Sequence, residues 1–233
     1  MTLTRPEQRL GLHDDSRWFG VFVALVVDVV DPDGQGRVRA QFPWAPDTDG
    51  VPLEAWCRLV VPMAGGGRGT WWVPDVDDEV AVSFEAGDPR RPFVVGSLWN
   101  GVDDPPESMD GGGANNIRAI HSRSGIRVVM DDTDGAVAFT IDTPAGHSIE
   151  MLDSGTTLTV ADPNGNRVEL APGGITVETS AKLTVSASTV EVTAGTVTVN
   201  AGMSRFSGVV QADTLIANTV VGTSYTPGAG NIW

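Results

Sequence analysis

Lysine is nearly missing from this sequence: Lys182 is the only one among fifteen basic residues, which face thirty acidic ones for a formal net charge of −15. A charge of that sign excludes the attraction on which binding to nucleic acid or to an anionic membrane surface depends, since both need Lys and Arg to neutralise phosphate. Cysteine is equally scarce. The single thiol, Cys57, rules out an intramolecular disulfide and a cysteine-based zinc site, and its place in the apolar run EAWCRLVV reads as a small core residue rather than a nucleophile. Nowhere do eighteen apolar residues follow one another, so no membrane-spanning helix is expected. The opening MTLTRPEQRLGLHDDSRW lacks an apolar core of signal-peptide length, so we expect synthesis in the cytoplasm without export by a signal of its own.

Apolar residues at helical spacing are hard to find, whereas Gly, Pro, Val and Thr are abundant, which together predict an all-β chain. Residues 1–17 are polar and aperiodic and read as an arm that orders only on a partner. From Trp18 the pattern changes. Phe19, Val21, Val23, Leu25, Val27 and Val29 fall on one face of a strand, with Phe22, Ala24 and Val26 on the other, as in a strand that is sandwiched or barrel-closed. After the turn DPDGQG, Val38, Ala40, Phe42 and Trp44 alternate with Arg37, Arg39 and Gln41. Strands at Ala55 to Val61, Glu79 to Glu85 (with Val80, Val82 and Phe84 inward) and Pro92 to Leu98 complete five in residues 18–100, the count of a Greek-key barrel of the OB type. The loop PMAGGGRGTWW lacks the lysine and following helix of a phosphate-binding loop.

Residues 101–116, GVDDPPESMDGGGANN, have linker composition. A second pattern then runs through 117–221, in pairs of apolar residues two apart: Val128/Met130, Phe139/Ile141, Ile149/Met151, Leu158/Val160, Val168/Leu170, Ile175/Val177, Leu183/Val185, Val190/Val192 and Val197/Val199. The step between pairs shrinks from about ten residues to seven or eight, a strand-plus-turn repeat. Each repeat holds one strand and two inward residues, too little to enclose a core alone. The expectation is an intertwined trimeric β-helix, a needle in which Ile175, Val177, Leu183, Val185, Val190, Val192, Val197 and Val199 of three chains meet on a common axis and the strand edges are covered. Some nine strands at about 4.8 Å each give a rod of roughly 45 to 55 Å.

The segments GRVRAQFPW, VPDVDDEVAVSFEAGDPRRPFVVGSLWNG and IHSRSGIRVVMDDTDGAVAFTIDTPAG resemble, in this order, the central spike proteins of contractile injection machines: the VgrG proteins of type VI secretion, phage baseplate assembly protein V, and the spikes of phage-tail-like particles. The resemblance runs from about Trp18 to the C-terminus and implies an OB-fold followed by a trimeric β-helical needle. It further implies a homotrimer assembled into a baseplate, docked on a hub that is here a separate protein, and contacting a target membrane only on firing. No cofactor is implied. The face around Arg37 and Arg39, with the N-terminal arm, is the expected hub contact. Residues 222–233 form a tip segment, where the resemblance implies a PAAR-type cone protein held by Tyr225, Pro227, Ile232 and Trp233; the alternative is that these residues fold back and close the trimer. The host machine, phage tail, bacteriocin-like particle or cellular injection system, stays open.

Two departures matter. Only sixteen residues lie where some phage spikes insert a lysozyme domain, and Asp77 stands where the family commonly has glycine in a GDE turn. Acidic clusters at 31–34, 75–79 and 131–135 coincide with predicted turns, where Asp serves its own backbone, so neither glycan cleavage nor a calcium loop is expected of them. His13, His121 and His147 are too scattered for a catalytic triad. A non-enzymatic spike is therefore the leading expectation. The alternative is a trimeric β-helical adhesin or glycan-binding fibre, which the near-absence of aromatics from 117–221, Phe139 and Phe206 alone, disfavours.

Overall fold

The computed structural model describes residues 17–224, and among these the chain is all-β, with one 3-10 turn at Glu85–Gly87 and no α-helix. Strands β1 (Phe22–Asp28), β2 (Val38–Pro46) and β3 (Pro52–Leu59) are followed by a small hairpin, β4 (Ala64–Gly65) and β5 (Arg68–Gly69), and then by β6 (Glu79–Phe84) and β7 (Pro92–Ser97). Five of them close a barrel in the order β1-β2-β3-β7-β6, with β6 returning to β1. Every neighbouring pair is antiparallel except β3 and β7, as a Greek-key closure requires.

Alternation fixes the interior. Val38, Ala40 and Phe42 of β2 point inward, as do Val80, Val82 and Phe84 of β6, and they meet Ala24, Val26, Cys57 and Val94. The sequence left β1 apolar on both faces; the closed barrel takes Ala24 and Val26 and leaves Val21 and Val23 to solvent. Trp44 does not continue the inward row, because the β2–β3 register shifts between Phe42 and Pro46. Its ring stacks on Phe22 instead, and its Nε1 donates to the Val23 carbonyl at 2.8 Å. Trp18 packs edge-on against Phe42, Trp44 and Phe84, plugging this end of the barrel.

Beyond the linker, β8 (Ile117–His121), β9 (Arg127–Asp131), β10 (Ala138–Asp142), β11 (Ser148–Leu152), β12 (Thr157–Ala161), β13 (Arg167–Ala171) and β14 (Gly174–Glu178) form one seven-stranded antiparallel sheet in sequence order. Over that stretch the repeat folds back within one chain, and the intertwined needle expected over 117–221 is left as a proposal. The reason lies in the turns. A repeat of about ten residues holds a five-residue strand and a reversal, as at β12–β13. There Asp162 Oδ1 accepts from the amides of Asn164 and Asn166, its Oδ2 accepts from both Asn side chains, and Gly165 takes φ 84°. At β13–β14 seven residues suffice, with Pro172 and Gly173 making the reversal; from Leu183 the same step of seven recurs without paired strands among the described residues.

Residues from Leu183 onward form a second unit. Among its described residues there is no strand ladder and no backbone hydrogen bond.

Candidate assembly surfaces

The antiparallel register places the apolar pairs on one face of the sheet. Met130, Phe139, Met151, Leu158, Leu170 and Ile175 stand opposite one another from strand to strand in one row. Ile120, Val128, Ile141, Ile149, Val160, Val168 and Val177 form the adjacent row. Between them, on the other face, run Thr140, Glu150, Thr159, Glu169 and Thr176. One face is thus continuous hydrocarbon, while the row on the other is polar from β10 to β14 and apolar at β8 and β9, where it carries Ala119 and the buried Val129. No described residue covers the hydrocarbon side. Ile175 is 72% exposed and Val177 53%, and an open groove of about 420 Å³ lies between Ile141, Ile149, Val160 and Val168.

The remaining residues expected on the axis, Leu183, Val185, Val190, Val192, Val197 and Val199, are each at least 63% exposed. Tyr225, Pro227, Ile232 and Trp233 lie outside the described residues, as does the arm up to residue 16.

Arg37 and Arg39 are already engaged within the barrel. Both guanidinium nitrogens of Arg37 that face Asp31 bond it, at 3.1 and 2.6 Å, and Nη2 also reaches Asp33 at 2.6 Å. That contact, with amides from Asp33, Gln35 and Arg37, holds the Asp31 carboxyl well below the usual carboxylate range. The DPDG turn is therefore an arginine clamp, with Asp31 filled by donors of its own chain. Arg39 lies 3.3 Å from Asp28 and 3.5 Å from Glu54, with its guanidinium over Trp56. The Glu54 contact is too skewed to be a hydrogen bond, and Nε of Arg39 is buried without one. Of the arm, only Arg17 is among the described residues. Arg37 precedes β2 at one end of the barrel, while Arg17 bonds the Ala86 carbonyl at the other, beside Arg90 and Arg91.

The acidic turns are structural in the same sense. Asp88 is lowered to about 2 by Arg90, Asp162 to about 2 by Asn166, and Asp110 is held down by the amides of Ala114 and Asn115. Among the described residues no group of three His, Cys, Asp or Glu could hold a metal ion, and no helix is long and apolar enough to cross a membrane. The Cys57 thiol is buried and pushed up to about 12 by desolvation, which makes it a poor nucleophile.

Linker composition concealed two features. Asp110 organises the Gly-rich turn, and Glu107 reaches back to Arg127 at 3.3 Å and stands 3.1 Å from Nε2 of His121. The β4–β5 hairpin was also missed, although Trp71 and Trp72 were a legible signal: adjacent residues of an extended chain point to opposite sides, so both indoles cannot enter one core.

Comparison with known families agrees with this architecture. Residues 22–99 match the type VI secretion system/phage-baseplate injector OB domain, and residues 138–203 match the phage baseplate V C-terminal trimerisation domain. The chain is 28% identical over 142 residues to the type VI secretion system spike protein VgrG1b of Pseudomonas aeruginosa, covering 55% of this chain and 19% of that protein. It is 32% identical over 113 residues to VgrG4b of the same organism, covering 46% and 14%. It is also 30% identical over 93 residues to the actin cross-linking toxin VgrG1 of Vibrio cholerae, covering 36% and 8%. The matched stretches thus span less than a fifth of these relatives' own lengths. The two domain matches together take in more than half of the chain, in the order barrel then trimerisation domain, and the chain belongs to the family of VgrG and phage-baseplate V central spike proteins.

Proposed function

We infer that the protein is the non-enzymatic central spike of a contractile injection machine, a homotrimer whose barrels dock on a separate hub and whose needle breaches the target envelope. The observation that carries this reading is the row Leu183, Val185, Val190, Val192, Val197 and Val199, exposed on a segment whose described residues have no ladder of their own. An extended backbone with an exposed apolar edge is stable only when paired. Each of these side chains, once buried, contributes about 1.5–3 kcal/mol. Two further copies of the same segment supply both the hydrogen-bonding edges and the apolar partners, and the match to a trimerisation domain supports the number three. In this reading residues 117–178 preform a sheet in each chain, and the intertwined β-helix begins near Leu183.

The hub contact is placed at the barrel end that Arg17 shares with Arg90 and Arg91, because the arm enters there; Arg90 and Arg91 pair with Asp88 and Glu85 just as Arg37 and Arg39 pair with their own acids, so free charge does not decide between the two ends. The C-terminal residues, Tyr225 to Trp233, are the proposed seat of a PAAR-type cone protein. Electron cryomicroscopy of contractile particles carrying this chain tests the assignment. Barrel-and-needle density on the baseplate axis supports it; the chain at the tips of peripheral fibres would make it an adhesin.

A further inference from the structure

One end of the barrel exposes more aromatic surface than a lone barrel needs. The 29–37 turn, the 60–78 connection and the start of the linker share this end, since Val38 pairs Cys57, Leu25 pairs Glu79 and Val80 pairs Ser97. Arg123, in the β8–β9 turn, contacts Asp75 at 2.9 Å, so this end faces the sheet. From it projects the β4–β5 hairpin, in which Thr70 N donates to the Met63 carbonyl at 2.9 Å. Gly69 has φ 151°, and a Cβ there would stand 2.6 Å from that carbonyl oxygen, so only glycine permits the hairpin. Trp71 and Trp72 follow, 77% and 63% exposed. The Trp71 ring lies so close over Gly36 that a Cβ there would meet it at 3.0 Å, and a groove of about 740 Å³ opens between the hairpin and the Gly34–Gly36 turn. Trp99, just past β7, is 69% exposed.

We propose that this hairpin is a clasp between protomers: Trp71 and Trp72 of one copy pack on the barrel–sheet junction of the next, over its Trp99, and link three barrels into a ring. The inference rests on the trimer reading above. One observation and two consequences of the proposed spike favour a second copy as the occupant. Chains joined along their sheets and needles bring their sheet-facing barrel ends alongside one another, so the clasp continues the shared face. Arg68 on the hairpin makes no ion pair among the described residues, and neither do Asp77, Asp103 and Asp104 at the same barrel end. Each copy thus offers a cation and can receive one, as a head-to-tail ring requires. Finally, the proposed hub contact lies at the opposite end of the barrel, which leaves this surface free for a second copy. Paired indoles with an arginine are the residue types that anchor protein interfaces.

The test is hydroxyl-radical footprinting of the purified full-length protein, scored against its urea-unfolded chain, with the mass measured in the same sample. The clasp requires Trp71, Trp72 and Trp99 to be modified several-fold more slowly in the trimer than in the unfolded chain. In the Trp71→Ser/Trp72→Ser variant, still trimeric through its needle, Trp99 regains most of the unfolded rate. A trimer in which Trp71 and Trp72 react as fast as when unfolded, or in which Trp99 ignores the double substitution, overturns the clasp and leaves the spike reading intact. A monomeric mass overturns the trimer itself and the clasp with it.

Discussion

Nη1 of Arg123 lies 2.9 Å from Oδ1 of Asp75, across 48 residues of sequence, and joins the barrel to the first hairpin of the sheet. Both side chains are more than half exposed, so water screens the pair. A double-mutant cycle with Asp75→Ala and Arg123→Ala is expected to give a coupling of about 0.2–1 kcal/mol. A value well above that range in thermal or denaturant unfolding would mean that the contact is buried in the assembled protein.

Asp77 occupies the left-handed region at φ 76°, in the turn closed by Asp78 N and the Asp75 carbonyl. The resemblance read from the sequence implies glycine at this position, and the turn has the backbone shape that glycine favours despite the side chain. Removing the Cβ relieves about 1–2 kcal/mol of strain, partly offset by the greater freedom of glycine when unfolded. Asp77→Gly should therefore stabilise the barrel by about 0.5–1 kcal/mol in denaturant titration. A destabilised variant would show that the Asp77 side chain makes an interaction that outweighs the strain.

Acid sensitivity follows from the turn carboxylates. Asp162 titrates at about 2 in the folded chain against an ordinary 3.8, chiefly because its carboxylate accepts from the Asn166 side chain and amide. A depressed folded value contributes stability that is complete above the unfolded pKa and is lost as pH falls through the folded one. Asp162→Asn puts an amide where two Asn donors point, much as protonation does. The thermal midpoint of wild type should exceed that of the variant by a constant margin above about pH 5, and the margin should close between about pH 4 and pH 2. A margin unchanged at pH 2 would contradict this.

Much of the barrel could be read from alternation alone, because β2 and β6 are apolar on one face only: Val38, Ala40 and Phe42, and Val80, Val82 and Phe84, enter the core as their spacing indicates. β1 was ambiguous because both its faces are apolar, and only barrel closure decides between Ala24 and Val23. The apolar pairs of the sheet were legible as a shared face. That their strands fold back within one chain was not, since a two-residue period is the same in a hairpin and in a prism, and turn geometry at Gly146 and Gly165 decides. The engagement of Arg37 by Asp31 was hidden for another reason: composition counts charges without pairing them.

The proposed needle makes a directional demand on Val192. On the axis of that trimer, aspartate at Val192 would bring three carboxylates together, where an unpaired charge costs several kcal/mol, and assembly should fail. Thr193→Asp, one residue on and by alternation on the opposite face of the proposed strand, should assemble as wild type does. Equal behaviour of the two variants in size-exclusion chromatography would place the axis elsewhere.

The most direct test is the solution mass of the full-length protein by light scattering, with the 24.5 kDa chain as reference. The account requires three times that mass, persisting in mild denaturant. A monomer of 24.5 kDa with residues 183–224 protected from hydrogen exchange would contradict it, because the exposed valine row would then have found its partner within a single chain.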